Sequence, residues 1–130
     1  MNISIILAAG EGTRMKSDTP KVLHRVCGKP ILSYIVDASR EANIDKNYVI
    51  VGHGSDEVRS ELSEDDIDFR VQPIGEDVPY GTGYAVMQAR DDIEDDCNVV
   101  ILCGDTPLIT GHTIEGLLHH HEENGYEATV

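Results

Sequence analysis

The chain has 130 residues, 40% of them hydrophobic and 26% charged, with a formal net charge of −14. That length suits one domain, able to bury about two thirds of the surface its unfolded form exposes, and no apolar stretch approaches the ~18 residues of a membrane span. The acidic balance argues against nucleic acid as a broad-surface partner, since that binding rests on clustered Lys and Arg, and Cys27, Cys97 and Cys103, without C-x-x-C spacing, read as reduced structural cysteines rather than a disulfide framework or zinc knuckle.

The first predicted element is a strand, Ile3 to Ala8, with no basic segment and apolar signal core before it, which predicts a cytoplasmic protein. Its β-branched run is too short for a core helix and reads as a buried strand. It leads into Ala9-Gly10-Glu11-Gly12-Thr13-Arg14-Met15 and then Pro20-Lys21. Small residues there let backbone approach a ligand closely. Exposed N–H groups of such a loop can hold phosphoryl oxygens, while Arg14 and Lys21 supply full positive charge. The loop lacks the spacing of a Walker motif, and Met15 stands where a dinucleotide fingerprint needs a third small residue.

Charge is unevenly spread. Residues 1–30 hold five basic side chains, Arg14, Lys16, Lys21, Arg25 and Lys29, against Glu11 and Asp18, whereas the remainder holds five basic against 22 acidic. A local reversal of this kind suits an acidic protein that binds a polyanion, and a magnesium ion would reduce the repulsion further.

Pro30 opens a helix whose apolar face, Ile31, Leu32, Ile35, Val36 and Ala38, repeats at the helical period and ends near Asn43. Strands are predicted at Asn47 to Val51, Asp68 to Gln72 and Asn98 to Cys103, with a last one starting near Glu127. Helices are predicted at Ser55 to Leu62, Gly83 to Arg90 and Thr113 to Asn124, the last stopped by Gly125. This alternation predicts βαβ units and a mostly parallel sheet. The acidic connectors at 64–66, 91–92 and 94–96 read as solvated loops, because no calcium-loop spacing is present. His119-His120-His121 reads as a solvated helix face, since adjacent helical positions point about 100° apart and cannot all face one ion.

Asp105 directly follows Val99-Val100-Ile101-Leu102-Cys103-Gly104, at the carboxyl end of a predicted central strand, where open α/β sheets bind ligands. Two readings stand for it: a ligand for Mg²⁺, or a cap for the turn at Thr106-Pro107. Gln72 likewise reads as a base-recognising amide or as a polar strand end.

Taken in order, Leu7-Ala8-Ala9-Gly10-Glu11-Gly12-Thr13-Arg14-Met15 with Pro20-Lys21, Val22-Leu23-His24, Gly28-Lys29-Pro30, Val51-Gly52-His53-Gly54, Gly81-Thr82-Gly83-Tyr84-Ala85-Val86 and Leu102-Cys103-Gly104-Asp105-Thr106-Pro107-Leu108 resemble the sugar-nucleotide pyrophosphorylases. Within that superfamily the Ala-Ala-Gly and Lys-Val-Leu-His forms look most like the uridylyltransferase domain of the bifunctional N-acetylglucosamine-1-phosphate uridylyltransferase/glucosamine-1-phosphate acetyltransferase family. The resemblance implies a Rossmann-like α/β fold of the nucleotide-diphospho-sugar transferase type, a mostly parallel sheet with helices on both faces. It implies Mg²⁺-dependent transfer of UMP from UTP to N-acetylglucosamine-1-phosphate, giving UDP-N-acetylglucosamine and pyrophosphate. Arg14 and Lys21 become electrostatic catalysts and Asp105 the metal ligand. Leu7, Ala8, Ala9, Gly10, Gly12 and Thr13 contact the nucleotide, and Gln72 with Gly81 and Thr82 reads uracil.

The chain departs from that family in two places. The family commonly places four residues between the Gln and Gly-Thr, whereas Pro73 to Tyr80 makes eight, and Tyr84 replaces a usual His. Use of CTP, GTP or dTTP is therefore an alternative. The resemblance also implies that residues 1–130 are the nucleotide-binding part of a longer transferase, with the sugar-binding half and any acetyltransferase domain absent. A second metal ligand, an Asn, would lie in that missing half, so a nucleotide-binding module without turnover is the alternative from another class. A monomer is expected for this chain, and a trimer for a full-length protein.

Overall fold

The computed structural model describes residues 1–10, 18–52, 55–62 and 66–130. Strand β1 (Asn2–Ala8) is the axis of the sheet, because its side chains are apolar on both faces. Ile3 and Ile5 are buried toward one helical layer, while Ile6 and Ala8 are buried toward the other. Such two-sided burial is what a central parallel strand requires.

Strands β4 (Lys46–Val51), β5 (Ile67–Val71) and β6 (Asn98–Cys103) complete a four-stranded sheet of order β5-β4-β1-β6. Every pairing is parallel, and β1 is in register with β4 through Ile5 and Tyr48 and with β6 through Ile5 and Ile101. From β1 the chain adds strands on one side and then returns to add β6 on the other. The order reverses between β1 and β6, which opens a crevice at their carboxyl ends.

Helices α1 (Ile31–Glu41), α2 (Ser55–Glu61) and α4 (Gly111–Asn124) cover one face through Leu32, Ile35, Val36, Val58, Ile114 and Leu118. Helix α3 (Thr82–Met87) and the turn after it cover the other, with Ala85 of the helix and Ala89 of the turn packed with Ile3, Ile5, Tyr48 and Ile50. The expected Rossmann-like arrangement is the one observed. Polar groups inside it are satisfied in a compact way: Ser4 Oγ donates to Asn47 Oδ1 at 2.7 Å, and Ser39 Oγ of α1 donates to the same oxygen.

Three features differ from the sequence expectation. A small antiparallel hairpin, β2 (Arg25–Val26) and β3 (Lys29–Pro30), precedes α1, closed by Cys27 at φ 53° and Gly28 at φ 78°. Positive φ at both turn positions matches the primed turn that suits strand twist. The strand expected near Glu127 does not form, because the chain after α4 folds back on that helix instead of meeting a sheet edge: Tyr126 N donates to His121 O at 3.2 Å, and His121 Nδ1 lies 2.9 Å from Thr129 Oγ1. The helix expected to reach Arg90 ends at Met87, and a separate 3-10 turn spans Arg90–Asp92. Arg70 anchors that turn by a two-bond contact with Asp92, at 2.8 and 2.7 Å. The three cysteines are free, as expected, but Cys27 and Cys103 are exposed rather than structural.

Candidate active site

The carboxyl ends of β1, β5 and β6 surround a cleft of about 920 Å³. Leu7, Ala8, Ala9 and Gly10 form its floor at the exit of β1. Among the described residues, a Cβ placed on Gly10 would meet nothing within 4 Å.

Lys21 reaches the cleft from a 3-10 turn, Lys21–Leu23, entered through Pro20. Val22 and Leu23 are sunk in the α1-side core, and Leu23 N donates to Pro20 O at 2.9 Å, so the turn is pinned by burial while Lys21 faces outward. Asp105 arrives from the opposite direction, two residues beyond β6. Gly104 makes that approach possible: its N–H donates to Leu7 O at 2.9 Å, and a Cβ there would sit 2.6 Å from the same oxygen. The two side chains meet as an ion pair, with Lys21 Nζ 2.7 Å from Asp105 Oδ2. Thr106 Oγ1 donates within the local turn, to Cys103 O at 2.9 Å.

Gln72, Gly81 and Thr82 also line the cleft. Gln72 is fixed by its backbone, whose N–H donates to Val51 O at 2.7 Å. Gly81 adopts φ 106°, a conformation that glycine reaches without strain, and its carbonyl accepts from Ala85 N at 3.1 Å as α3 begins. The structure therefore gathers Leu7, Ala8, Ala9, Gly10, Lys21, Gln72, Gly81, Thr82 and Asp105 around one cavity. Gly12, Thr13 and Arg14 lie outside the described residues. Tyr84 lies on α3 and is not one of the cleft-lining residues.

Of the basic residues near the amino terminus, those described divide by role. Arg25 contacts Glu61 and Gly28 O, and Lys29 pairs with Asp37 over the Tyr34 ring, so both serve the fold. Lys21 is the one of the three that faces the cleft. Titrations displaced from their ordinary ranges also belong to structural pairs outside the cleft: hydrogen bonds from Arg70 hold Asp92 low, and hydrogen bonds from Arg40 hold Asp66 low.

Sequence reasoning missed one wall. Ile74, Val78 and Tyr80, from the segment between Gln72 and Gly81, line the cleft although no motif marks them. Apolar residues set between Pro73 and Pro79 in an otherwise polar loop were the available signal.

No group of three or more His, Cys, Asp or Glu side chains assembles a metal site among the described residues. Magnesium is commonly held by one or two carboxylates with the remaining positions taken by phosphate oxygens and water. Asp105, the one carboxylate lining the cleft among the described residues, therefore fits a magnesium ion that arrives on a triphosphate better than one held by the protein alone.

Residues 4–130 match the MobA-like NTP transferase domain. The chain is 50% identical over 128 residues to the bifunctional protein GlmU of Shouchella clausii and 46% identical over 128 residues to that of Clostridioides difficile. Each match covers 98% of this chain but only 27% of the relative. The crystal structure of Rv0371c from Mycobacterium tuberculosis H37Rv superposes with a TM-score of 0.75 at 25% identity, over 90% of this chain and 58% of that one.

Proposed function

The chain belongs to the MobA-like NTP transferase domain family, and from that premise we propose that it forms the nucleotide-binding part of an enzyme transferring UMP from UTP to N-acetylglucosamine-1-phosphate. The observation that carries the reading is the convergence of Lys21 and Asp105 at the carboxyl end of the sheet, in the cleft that the backbone of Gly10 also lines. The GlmU relatives support a sugar-phosphate nucleotidyltransferase; the choice of UTP and the amino-sugar phosphate within that class rests on the motif resemblance.

In this reading a phosphate oxygen of the sugar-1-phosphate attacks the α-phosphorus of UTP in line. The bond from that phosphorus to the α,β-bridging oxygen breaks, and the electron pair leaves on pyrophosphate. No protein nucleophile is needed, because positioning and charge stabilisation do most of the work in such transfers. Lys21 turns from Asp105 to the triphosphate oxygens, and Arg14 adds a second cation. Asp105 is the residue to hold Mg²⁺, which when bound neutralises phosphate charge. Leu7 to Gly10, with Gly12 and Thr13, support the ribose and phosphates, while Gln72, Gly81 and Thr82 meet the uracil edge.

No helix among the described residues is long and apolar enough to cross a membrane. We place the protein in the cytoplasm, as a monomer in the absence of further domains.

The length of the Pro73 to Tyr80 segment favours a second reading, in which the cleft takes CTP, GTP or dTTP. Because the chain spans 27% of its GlmU relatives, nucleotide binding without turnover is the remaining possibility. Calorimetric titration of the chain with the four triphosphates in Mg²⁺, followed by assay of pyrophosphate release with N-acetylglucosamine-1-phosphate in a protein extended to the length of the GlmU relatives, separates them. UTP preference with pyrophosphate release supports the proposal; preference for another base, or binding with no release, replaces it with one of the alternatives.

A further inference from the structure

We propose that Tyr80 is the stacking platform for the nucleobase, presented to the cleft by the segment that joins Gln72 to Gly81; this rests on the nucleotide-binding reading above. Tyr80 lines the cleft and yet is 93% exposed. A tyrosine ring carries a large apolar face that folding normally buries. Here it is left bare on a concave wall beside Gln72 and the floor residues Ala8 to Gly10.

The segment is anchored at both ends. At its start, Gln72 N donates to Val51 O at 2.7 Å, and Ile74 packs over Gly52. A Cβ on Gly52 would stand 2.7 Å from Ile74 Cδ1 and 3.3 Å from Ala9 O, so the absence of a side chain there lets Ile74 seat beside the exit of β1. At its end, Tyr80 sits between Pro79, whose ring fixes φ, and Gly81 at φ 106°, from which α3 starts. These neighbours fix where the Tyr80 backbone enters the cleft wall, and the ring, bare on that wall, has its face available to a ligand.

Every nucleobase offers a π-face, so stacking gives affinity with little discrimination among bases. Hydrogen-bonding groups such as Gln72 must then supply the discrimination. The division makes a specific expectation: Tyr80 governs how tightly a nucleotide binds, and it acts on the base rather than on the phosphates.

UTP, CTP and tripolyphosphate, each with Mg²⁺, are titrated into the wild-type protein and into Tyr80→Phe, Tyr80→Leu and Tyr80→Ala. The Phe variant should bind both nucleotides within about twofold of wild type, and the Leu and Ala variants should bind them about tenfold more weakly. Tripolyphosphate, which has no base, should bind all four proteins alike. UTP should also quench tyrosine emission in the wild type and not in Tyr80→Ala. Unchanged UTP affinity in the Ala variant overturns the assignment, and so does equal weakening of tripolyphosphate, which would mean a damaged cleft. Folded wild type that binds no nucleotide overturns the nucleotide reading itself, and the assignment with it.

Discussion

Lys21 Nζ lies 2.7 Å from Asp105 Oδ2, joining residues 84 positions apart across the mouth of the cleft. One is the cation proposed for the triphosphate and the other the carboxylate proposed for its metal, so in this structure the two neutralise each other. In the proposed site a magnesium nucleotide would compete with this pair for both groups. Their side chains are 42% and 38% exposed, and exposed pairs contribute between nothing and about 1 kcal/mol. The pair is thus cheap to open.

Lys21→Ala should lower turnover about 100-fold or more, the scale set by losing one preorganised charge donor, while UTP affinity changes only a few-fold. Asp105→Asn should remove the magnesium dependence of UTP binding. Assay of pyrophosphate release checks the loss of turnover, and titrations at low and high Mg²⁺ check the binding effects, with thermal melting as the control. A variant at Asp105 that still binds UTP in a magnesium-dependent way would take that residue out of the metal site.

Gly104 and Gly111 test whether the site depends on backbone contact. A Cβ on Gly104 would press on Leu7 O at 2.6 Å, and one on Gly111 would lie 2.5 Å from Glu41 Cβ and 3.1 Å from Ala38 O. Both alanine variants should lose about 1–3 kcal/mol, the usual cost of forcing atoms into a packed position. Only Gly104→Ala, next to Asp105, should also weaken magnesium-dependent UTP binding. Urea unfolding measures the first effect and titration the second; equal nucleotide affinity in both variants would show that the exit of β6 has no special geometry.

Most of the sheet was legible because β1 and β4 carry apolar runs that are buried on two faces. By contrast β6, expected as a central strand, is an edge strand of the described sheet, with Ile101 and Cys103 exposed. The Arg25 to Pro30 hairpin was not, since two-residue strands are too short to show alternation and Cys27 is an unusual occupant of a positive-φ turn position. The tail at Ala128-Thr129-Val130 has strand-like composition, but composition cannot say whether a sheet edge lies within reach. In the candidate site, motif residues at strand ends could be named individually. Their contacts could not: nothing local links Lys21 to Asp105, or Ile74 to Gly52, because strand order alone brings them together.

Gln72 offers a test of base choice that does not depend on overall affinity. It lines the cleft and its backbone is held by Val51 O. An amide can both donate and accept, which suits the N–H and carbonyl edge of uracil. Gln72→Ala should narrow the ratio of UTP to CTP affinity by about tenfold, the scale of one lost hydrogen bond in a binding site, and leave tripolyphosphate binding unchanged. An unaltered ratio would move base recognition to other cleft residues.

Acid stability should report the Arg70–Asp92 pair on the α3 side of the sheet. Arg70 grips both oxygens of Asp92 and stands 5.2 Å from the centre of the Tyr48 ring. Those hydrogen bonds are the main reason that Asp92 titrates below its ordinary range. A carboxyl lowered by folding contributes stability that is complete above the unfolded value, about 3.9. It is lost as pH falls through the lower, folded value. Asp66, lowered chiefly by its hydrogen bonds with Arg40, contributes with the same sign. Asp92→Asn should therefore cost about 1 kcal/mol at pH 7, a figure kept small because the Arg70 and Asp92 side chains are 34% and 25% exposed. The gap between variant and wild type should narrow as pH falls below the unfolded value of about 3.9 and the wild-type carboxyl takes up its proton. Urea unfolding at pH 7, 4 and 2 measures this, and a gap that stays constant would mean that Asp92 acts through packing rather than charge.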